Sequence, residues 1–234
     1  MENVDIYSRL QKLPLFLGMS KSDLDQVVGR AKFEFLNLSH GKTLVHEGES
    51  CLHLHFLLKG EMRAIRSADD HRFVVSETVT APDMFQAEVL WGLHQRYTYT
   101  FTTLRECLLV RIDKPDTLRL VEESEIFRLN ILNAVTTRTQ QLVHQSWYHR
   151  PHGIQQKLVR FFVTHCRRPA GEKHFNIKMT QLAHEIGESR LNVSRALHQM
   201  QKENLLFLGR AEIDIPFLEK LQESRFLPNL NEKV

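Results

Sequence analysis

The segment from residue 33 to residue 112 consists of short apolar stretches separated by turn residues. Pairs that favour turns, such as His40-Gly41, Lys59-Gly60 and Trp91-Gly92, interrupt it about every ten residues. Between residues 97 and 102 aromatic residues alternate with threonines, which places three aromatic side chains on one face of a strand. This pattern predicts an all-β sandwich, barrel or jelly roll.

Residues 52–58 predict which face of one strand points inward. Apolar residues at alternate positions share one face: Leu52, Leu54, Phe56 and Leu58. His53 and His55 lie on the opposite face. We expect the apolar face to line the interior of the β domain and the two histidines to lie outside it.

The pattern becomes helical after Pro115. No glycine or proline occurs between residues 116 and 150, which favours helix throughout. We expect Ser124 to cap a new helix with Glu125 in its first turn. Pro151 prevents this helix from continuing past Arg150. A helix of about 25 residues is roughly 37 Å long.

One face of this long helix carries a stripe typical of a coiled coil. Its members recur at alternating steps of three and four: Leu129, Leu132, Thr136, Thr139, Val143 and Ser146. The stripe packs either on the β domain of its own chain or on the same helix of a second subunit. We favour the second, because a two-fold dimer covers such a stripe most simply. Thr136, Thr139 and Gln140 then lie at the subunit boundary, where they contact a small-molecule effector or tune dimer stability.

Residues 179–200 have the pattern of a helix-turn-helix. The first helix points three residues inward: Leu182, Ala183 and Ile186. Gly187 ends it, because a helix end commonly needs a left-handed backbone. Ser189 caps a longer helix that faces the first one through Val193, Leu197 and Met200. In such motifs the second helix lies in the major groove of DNA.

The residues near the start of this second helix are candidates for contact with base edges. They are Ser189, Arg190, Asn192, Ser194 and Arg195. The two arginines diverge by about 140° around the helix, so they cannot contact the same base. Residues 205–208 and 211–215 predict a hairpin wing, followed by a closing helix over residues 216–223. The candidate phosphate contacts are Lys178, Lys202 and, at the tip of the wing, Arg210.

Charge and composition agree with a polyanionic partner for the C-terminal part. The 234 residues carry a net charge of +3, but residues 151–210 hold ten Lys and Arg against four Glu, a net +6. No run of about 18 apolar residues predicts a membrane span. The acidic N-terminus differs from a secretory signal, and three dispersed cysteines cannot form a disulfide framework. We therefore expect a cytoplasmic protein.

Three motifs make the chain similar to the CRP/FNR family of bacterial transcription regulators. Residues 41–49 resemble the opening β-roll motif of that family, residues 54–61 its next strand and turn, and residues 188–195 its recognition helix. The resemblance implies an α+β fold: a β-roll over residues 1–123, a long dimerisation helix over 124–150 and a winged helix-turn-helix over 151–234. It implies a homodimer that is not an enzyme and binds a near-palindromic site on double-stranded DNA. RNA polymerase is a further expected partner.

The resemblance also indicates where this chain departs from the family. The family contacts bases through Arg, Glu and Arg, which fall here on Arg190, Leu191 and Arg195. Leucine cannot accept a hydrogen bond from cytosine, so we expect a different half-site.

The residues that would bind an effector depart further from the family pattern. Members that bind cyclic nucleotides use a cassette of Gly-Glu followed by Arg-Ser, whose arginine pairs with the cyclic phosphate. Glu88 and Thr98 replace two of these residues, but Tyr97 occupies the arginine position and Arg96 lies one step away. We therefore expect an unidentified small-molecule effector other than cyclic AMP. Three cysteines argue against an iron–sulfur cluster, whereas thirteen histidines leave haem open without indicating an axial ligand.

Two alternatives remain open at this point. A cupin-like metal enzyme would use His53 and His55 with Glu61 as a third ligand. A regulator without an effector would use its β-roll only as a surface for dimerisation and for RNA polymerase.

Overall fold

The computed structural model describes residues 3–145 and 151–224. The chain divides into two compact units. The first contains residues 1–64 and 79–147, and the second contains residues 65–78 and 148–234. Residues 65–78 therefore group with the C-terminal residues, although they lie inside the segment predicted as the β domain.

The first unit is a β-roll with flanking helices. Its helices are α1 Asn3–Leu10, α2 Lys21–Arg30, α3 Lys114–Glu123 and α4 Glu125–Gln145, with 3₁₀ turns at Pro14–Phe16 and Ala87–Val89. Its strands are β1 Glu34–Leu38, β2 Thr43–Val45, β3 His53–Lys59, β4 Glu61–Ser67, β5 Phe73–Thr80, β6 Asp83–Phe85, β7 Thr100–Thr103 and β8 Cys107–Asp113, of which β4 and β5 continue into the second unit. One antiparallel sheet has the order β1-β8-β3-β6, and β2 pairs with β7.

Serine side chains cap the starts of α2 and α4, and the cap of α4 is the predicted Ser124. Ser20 Oγ accepts a hydrogen bond from the Asp23 backbone N at 3.2 Å, and the Asp23 carboxylate accepts one from the Ser20 backbone N at 2.8 Å. Ser124 Oγ accepts one from the Phe127 backbone N at 3.3 Å, at the start of α4. Helix α4 is described as far as Gln145. Its predicted last residues, 146–150, lie outside the described part of the chain.

The alternation at residues 97–102 is confirmed, but the prediction for β3 is wrong. Leu52 is 58% exposed, whereas His55 is only 2% exposed. Phe56 packs against Phe16, with ring centroids 5.6 Å apart, and Phe16 packs in the same way on Phe127 of α4. Helical residues therefore cover the Phe56 face of the sheet. Strand β3 is buried on both faces, so its apolar residues do not mark the interior of the roll.

The second unit carries the C-terminal elements. They are α5 Ile154–Thr164, β9 Lys173–Ile177, α6 Met179–Glu185, α7 Arg190–Lys202, β10 Phe207–Gly209, β11 Glu212–Ile215 and α8 Leu218–Glu223. The predicted wing is the β10–β11 hairpin, which pairs Gly209 with Glu212. Together with the β-roll these elements make the α+β architecture that the sequence predicts.

Strand β5 pairs with the sheet of the wing, which the sequence pattern does not predict. The order is β10-β11-β9-β5, and β5 pairs with β9 from Phe73–Ile177 to Glu77–Lys173. Alternate residues of β5, Phe73 and Val75, enter the apolar core of this unit. Within the described residues, no helix is both long enough and apolar enough to cross a membrane.

Candidate nucleic-acid interface

Helices α6 and α7 form the predicted helix-turn-helix. Gly187 has a φ of +63°, a conformation that glycine adopts without the steric cost of a side chain. The Glu188 backbone N donates to the Ala183 carbonyl at 2.9 Å and closes the turn. Ser189 Oγ accepts from the Asn192 backbone N at 3.2 Å, so the predicted cap of α7 is present.

Apolar contacts hold α7 in a fixed orientation. Val193, Leu197 and Met200 have no exposed surface, and Ala183 on α6 is 4% exposed. The small alanine side chain permits the close approach of the two helices. A rigid helix is what base recognition requires, because contact geometry must be reproducible within fractions of an ångström.

The opposite face of α7 presents polar side chains near its start. Arg190, Asn192 and Arg195 are exposed, while Ser194 is half-buried. The oxygen of Ser189 accepts one hydrogen bond in the helix cap, and its hydroxyl proton stays available to donate to DNA. The structure thus brings the predicted base-contacting residues to one exposed surface.

Three more of the predicted cations lie exposed around this motif. Lys178 precedes α6, Lys202 ends α7 and Arg210 lies at the tip of the wing hairpin. Within the described residues, none of these three cations or the two arginines of α7 forms an ion pair. Their charges are therefore available to phosphates.

Other basic residues of the segment are neutralised inside the unit. Lys157 Nζ lies 2.6 Å from a carboxylate oxygen of Glu188, and Lys173 Nζ lies 2.7 Å from one of Glu77. Glu188 is already counted in the net charge of residues 151–210, whereas Glu77 lies outside this segment, so only the Lys173 pair lowers the charge that the segment offers to a partner.

Leu191, which falls on a base-contacting position of the family but is not among the candidate DNA contacts inferred from the sequence, is exposed on α7. It is 60% exposed, between Arg190 and Asn192 in the first turn. The sequence carried a signal for the exposure of Leu191, because this residue lies outside the stripe of Val193 and Leu197 that packs on α6.

Of the predicted effector residues of the β-roll, two are exposed and Thr98 is hydrogen-bonded within the roll. Glu88 is exposed in a 3₁₀ turn, and Arg96 is exposed and donates from Nη1 to the Gly48 carbonyl at 2.7 Å. Thr98 is engaged by Gln86. The Gln86 amide group donates to the Thr98 hydroxyl and accepts from the Thr98 backbone N at 3.2 Å. Gln86, which is 2% exposed, fills the place beside Thr98.

The neighbouring interior position holds an uncharged tyrosine. Tyr97 is 3% exposed, and its hydroxyl lies 2.9 Å from the His53 carbonyl and 3.3 Å from His55 Nδ1. Burial raises the pKa of Tyr97. Burial, with the positive charges of His53 and Arg111, lowers the pKa of His55 to about 3. Both interior groups are therefore uncharged at neutral pH.

Helix α4 leaves its predicted stripe exposed. Leu129, Leu132 and Val143 are 51%, 52% and 55% exposed. The Thr136 and Thr139 hydroxyls donate to carbonyls of their own helix at 2.7 and 2.9 Å, and Gln140 is exposed. The opposite side of α4 packs on its own unit through two buried residues, Phe127 and Ile131. Ser146 lies outside the described residues.

The residues proposed for a cupin-like metal site do not assemble. His55 is buried toward Tyr97, whereas Glu61 pairs with Arg105 at 3.0 Å. In the part of the chain that the structure describes, no three His, Cys, Asp or Glu side chains are grouped so that they could hold a metal ion.

Comparison with protein families assigns both parts of the chain. Residues 35–124 match the cyclic nucleotide-binding domain model, and residues 156–224 match the Crp-like helix-turn-helix domain model. The chain belongs to the CRP/FNR family of transcription regulators. As a CRP-like regulator it pairs a β-rich domain of the cyclic nucleotide-binding type with a helix-turn-helix DNA-binding domain. None of the curated proteins matches this regulator in sequence.

Solved structures share its fold. The catabolite activator protein of Thermus thermophilus is 20% identical, over 90% of this chain and 97% of that one, with a TM-score of 0.51. The sensor domain of the transcriptional regulator DNR from Pseudomonas aeruginosa is also 20% identical, over 62% of this chain and 95% of that one, with a TM-score of 0.51. At this identity the likeness concerns the fold.

The residues of this CRP/FNR member do not fit the cyclic nucleotide that the first domain model implies. A buried cyclic phosphate needs a positive partner, because an unpaired buried charge is very costly. The position that the sequence resemblance assigns to this partner holds Tyr97, whose hydroxyl donates to the His53 carbonyl. Gln86 is hydrogen-bonded to the hydroxyl oxygen and to the backbone N–H of Thr98.

Proposed function

We propose that this regulator is a homodimer that binds a near-palindromic DNA site through α7 of each subunit. The observation that carries the proposal is that Arg190 and Arg195 are both exposed and form no ion pair, on a helix whose other face is buried in the core. Arginine bound in a bidentate way to guanine is the commonest specific contact in the major groove. Lys178, Lys202 and Arg210 supply phosphate contacts that position the helix.

The dimer is proposed to form through α4. The helix has two apolar sides: one is covered by its own unit, and Leu129, Leu132 and Val143 on the other remain about half exposed. A stripe of this kind on a helix of 21 residues favours pairing with the same stripe of a second copy. Two-fold symmetry then presents two recognition helices to half-sites about one helical turn apart.

The effector, if the regulator has one, is proposed to be something other than a cyclic nucleotide. The closed contact between Gln86 and Thr98 supports this, as does the absence of a cation at Tyr97. Two possibilities follow. A different small molecule binds at the subunit boundary near Thr136, Thr139 and Gln140, or the β-roll acts without an effector as a surface for RNA polymerase.

Selection of DNA from a random-sequence duplex pool with the full-length protein tests the proposal. The selected sites should be near-palindromes, and their affinity should fall steeply between about 50 and 200 mM salt. If the protein bound no duplex in a salt-sensitive manner, the proposal would be wrong. A thermal-shift screen with nucleotides, haem and small acids tests the effector: cyclic AMP should leave the melting midpoint unchanged, whereas a true effector raises it.

A further inference from the structure

Leu191 breaks the division of α7 into an apolar buried face and a polar exposed face. Every other apolar residue of this helix is at most 3% exposed: Val193, Ala196, Leu197 and Met200. Leu191 is 60% exposed and lies in the first turn, the part of a recognition helix that meets base edges.

The position of Leu191 relative to Arg195 places both on one stripe of the helix. Residues four apart lie about 40° from each other around an α-helix and are neighbours on its surface. A groove that accommodates Arg195 therefore also accommodates Leu191.

The chemistry of leucine limits what it can contact there. It has no donor, acceptor or charge, so it cannot hold a phosphate or a polar base edge. The apolar group that the four base pairs present in the major groove is the C5 methyl of thymine. Contact with this methyl removes apolar surface of both partners from water.

We propose that Leu191 determines specificity by packing on the C5 methyl group of one thymine in each half-site. This inference rests on the proposed function, since it requires α7 to lie in the major groove. It assigns an A·T base pair to the position that Leu191 faces.

Replacement of thymine by uracil tests the proposal, because it removes this methyl group and leaves the base pairing intact. Duplexes that carry the selected site, with uracil at one thymine position at a time, are titrated with the wild-type protein and with Leu191→Ala. At one position in each half-site the wild type should lose about fourfold in affinity, the value of one buried methyl group. Leu191→Ala should bind the thymine site more weakly and should bind thymine and uracil equally at that position.

The controls separate this contact from folding and from DNA binding in general. Leu93, which is 91% exposed in the other unit, gives the matched variant Leu93→Ala, which should keep the wild-type preference for thymine. Thermal melting shows whether Leu191→Ala is folded, as expected for an exposed side chain. If Leu191→Ala keeps the wild-type ratio of thymine to uracil affinity, or if the wild type ignores uracil at every position, Leu191 does not contact a methyl group although DNA binding stands. If the wild type binds no duplex at all, the proposed function fails together with this inference.

Discussion

The ammonium nitrogen of Lys173 lies 2.7 Å from a carboxylate oxygen of Glu77, and both side chains are 2% exposed. The same carboxylate accepts hydrogen bonds from the backbone N–H groups of Arg167 and Arg168, and Lys173 also donates to the Ala170 carbonyl at 2.8 Å. The two charged residues face each other across the paired strands β5 and β9. Strand β9 leads directly through Lys178 into α6, so this ion pair fixes the strand that precedes the helix-turn-helix.

Glu77→Gln should destabilise the protein strongly. The substitution leaves the Lys173 ammonium buried without a counter-charge, at a cost of about 3–5 kcal/mol in the free energy of unfolding. Urea denaturation of the full chain measures this loss. The double variant Glu77→Gln with Lys173→Met should recover part of it, because no buried charge then remains unpaired.

An exposed ion pair provides the control for this prediction. Arg30 Nη1 lies 2.7 Å from a carboxylate oxygen of Glu123, and the two side chains are 49% and 39% exposed. Glu123→Gln should cost less than about 1 kcal/mol. Equal losses for Glu77→Gln and Glu123→Gln would contradict the importance of burial at Glu77.

His55 should make the protein less stable in mild acid. Burial holds the pKa of His55 at about 3 in the folded state, below the ordinary value of 6.5. Between these two pH values the imidazole is therefore protonated in the unfolded chain and neutral in the folded chain. The stability is therefore fully present above pH 6.5 and is lost progressively as the pH falls toward 3. One such group removes about 2 kcal/mol between pH 6.5 and pH 5.

The variant His55→Phe tests this origin of the pH dependence. It keeps a ring of similar size without a titrating nitrogen, so unfolding free energies measured from pH 7.5 to pH 5 should vary less than in the wild type. Tyr97 keeps its hydrogen bond to the His53 carbonyl in this variant. Substitution of the exposed His46 by Phe should leave the slope unchanged. A slope that is as steep in His55→Phe as in the wild type would assign the effect to other groups.

Arg195→Ala and Lys202→Ala should weaken DNA binding in different ways. In the proposed complex Arg195 contacts a base edge, so its loss should cost about 1–3 kcal/mol at the selected site and relax specificity at one position. Lys202 is proposed to contact a phosphate, so its loss should weaken all sequences alike and lower the salt slope by about one. Fluorescence anisotropy with selected and scrambled duplexes at several salt concentrations distinguishes the two. An equal loss on both duplexes for Arg195→Ala would exclude its role in base recognition.

Leu132→Glu should convert the proposed dimer to a monomer. The change places like charges opposite each other in the α4 stripe and removes an apolar side chain that is 52% exposed in one subunit. Light scattering after size-exclusion chromatography measures the mass. Leu93→Glu, a change of the same chemistry at a site 91% exposed, should remain dimeric. A wild-type mass of one chain would refute the α4 dimer outright.

The amino-acid sequence by itself determined the elements whose signals are local. The helix-turn-helix follows from Gly187, Ser189 and the apolar spacing that ends in Met200, all within a few turns of helix. The alternation from Tyr97 to Thr102 likewise places aromatic side chains in the core without help from distant residues. Helix capping, turn chemistry and periodicity act between neighbours in the chain, so they can be recognised there.

Only the tertiary structure decided which faces of those elements are buried against one another. The interior position of His55 depends on Phe16 and Phe127 covering the other face of β3. The engagement of Thr98 depends on its hydrogen bond with Gln86. The buried charge of Lys173 depends on its contact with Glu77, 96 residues away in the sequence. Burial and charge pairing join residues that are far apart in sequence, and a hydrophobic pattern shows that a face is covered without showing what covers it.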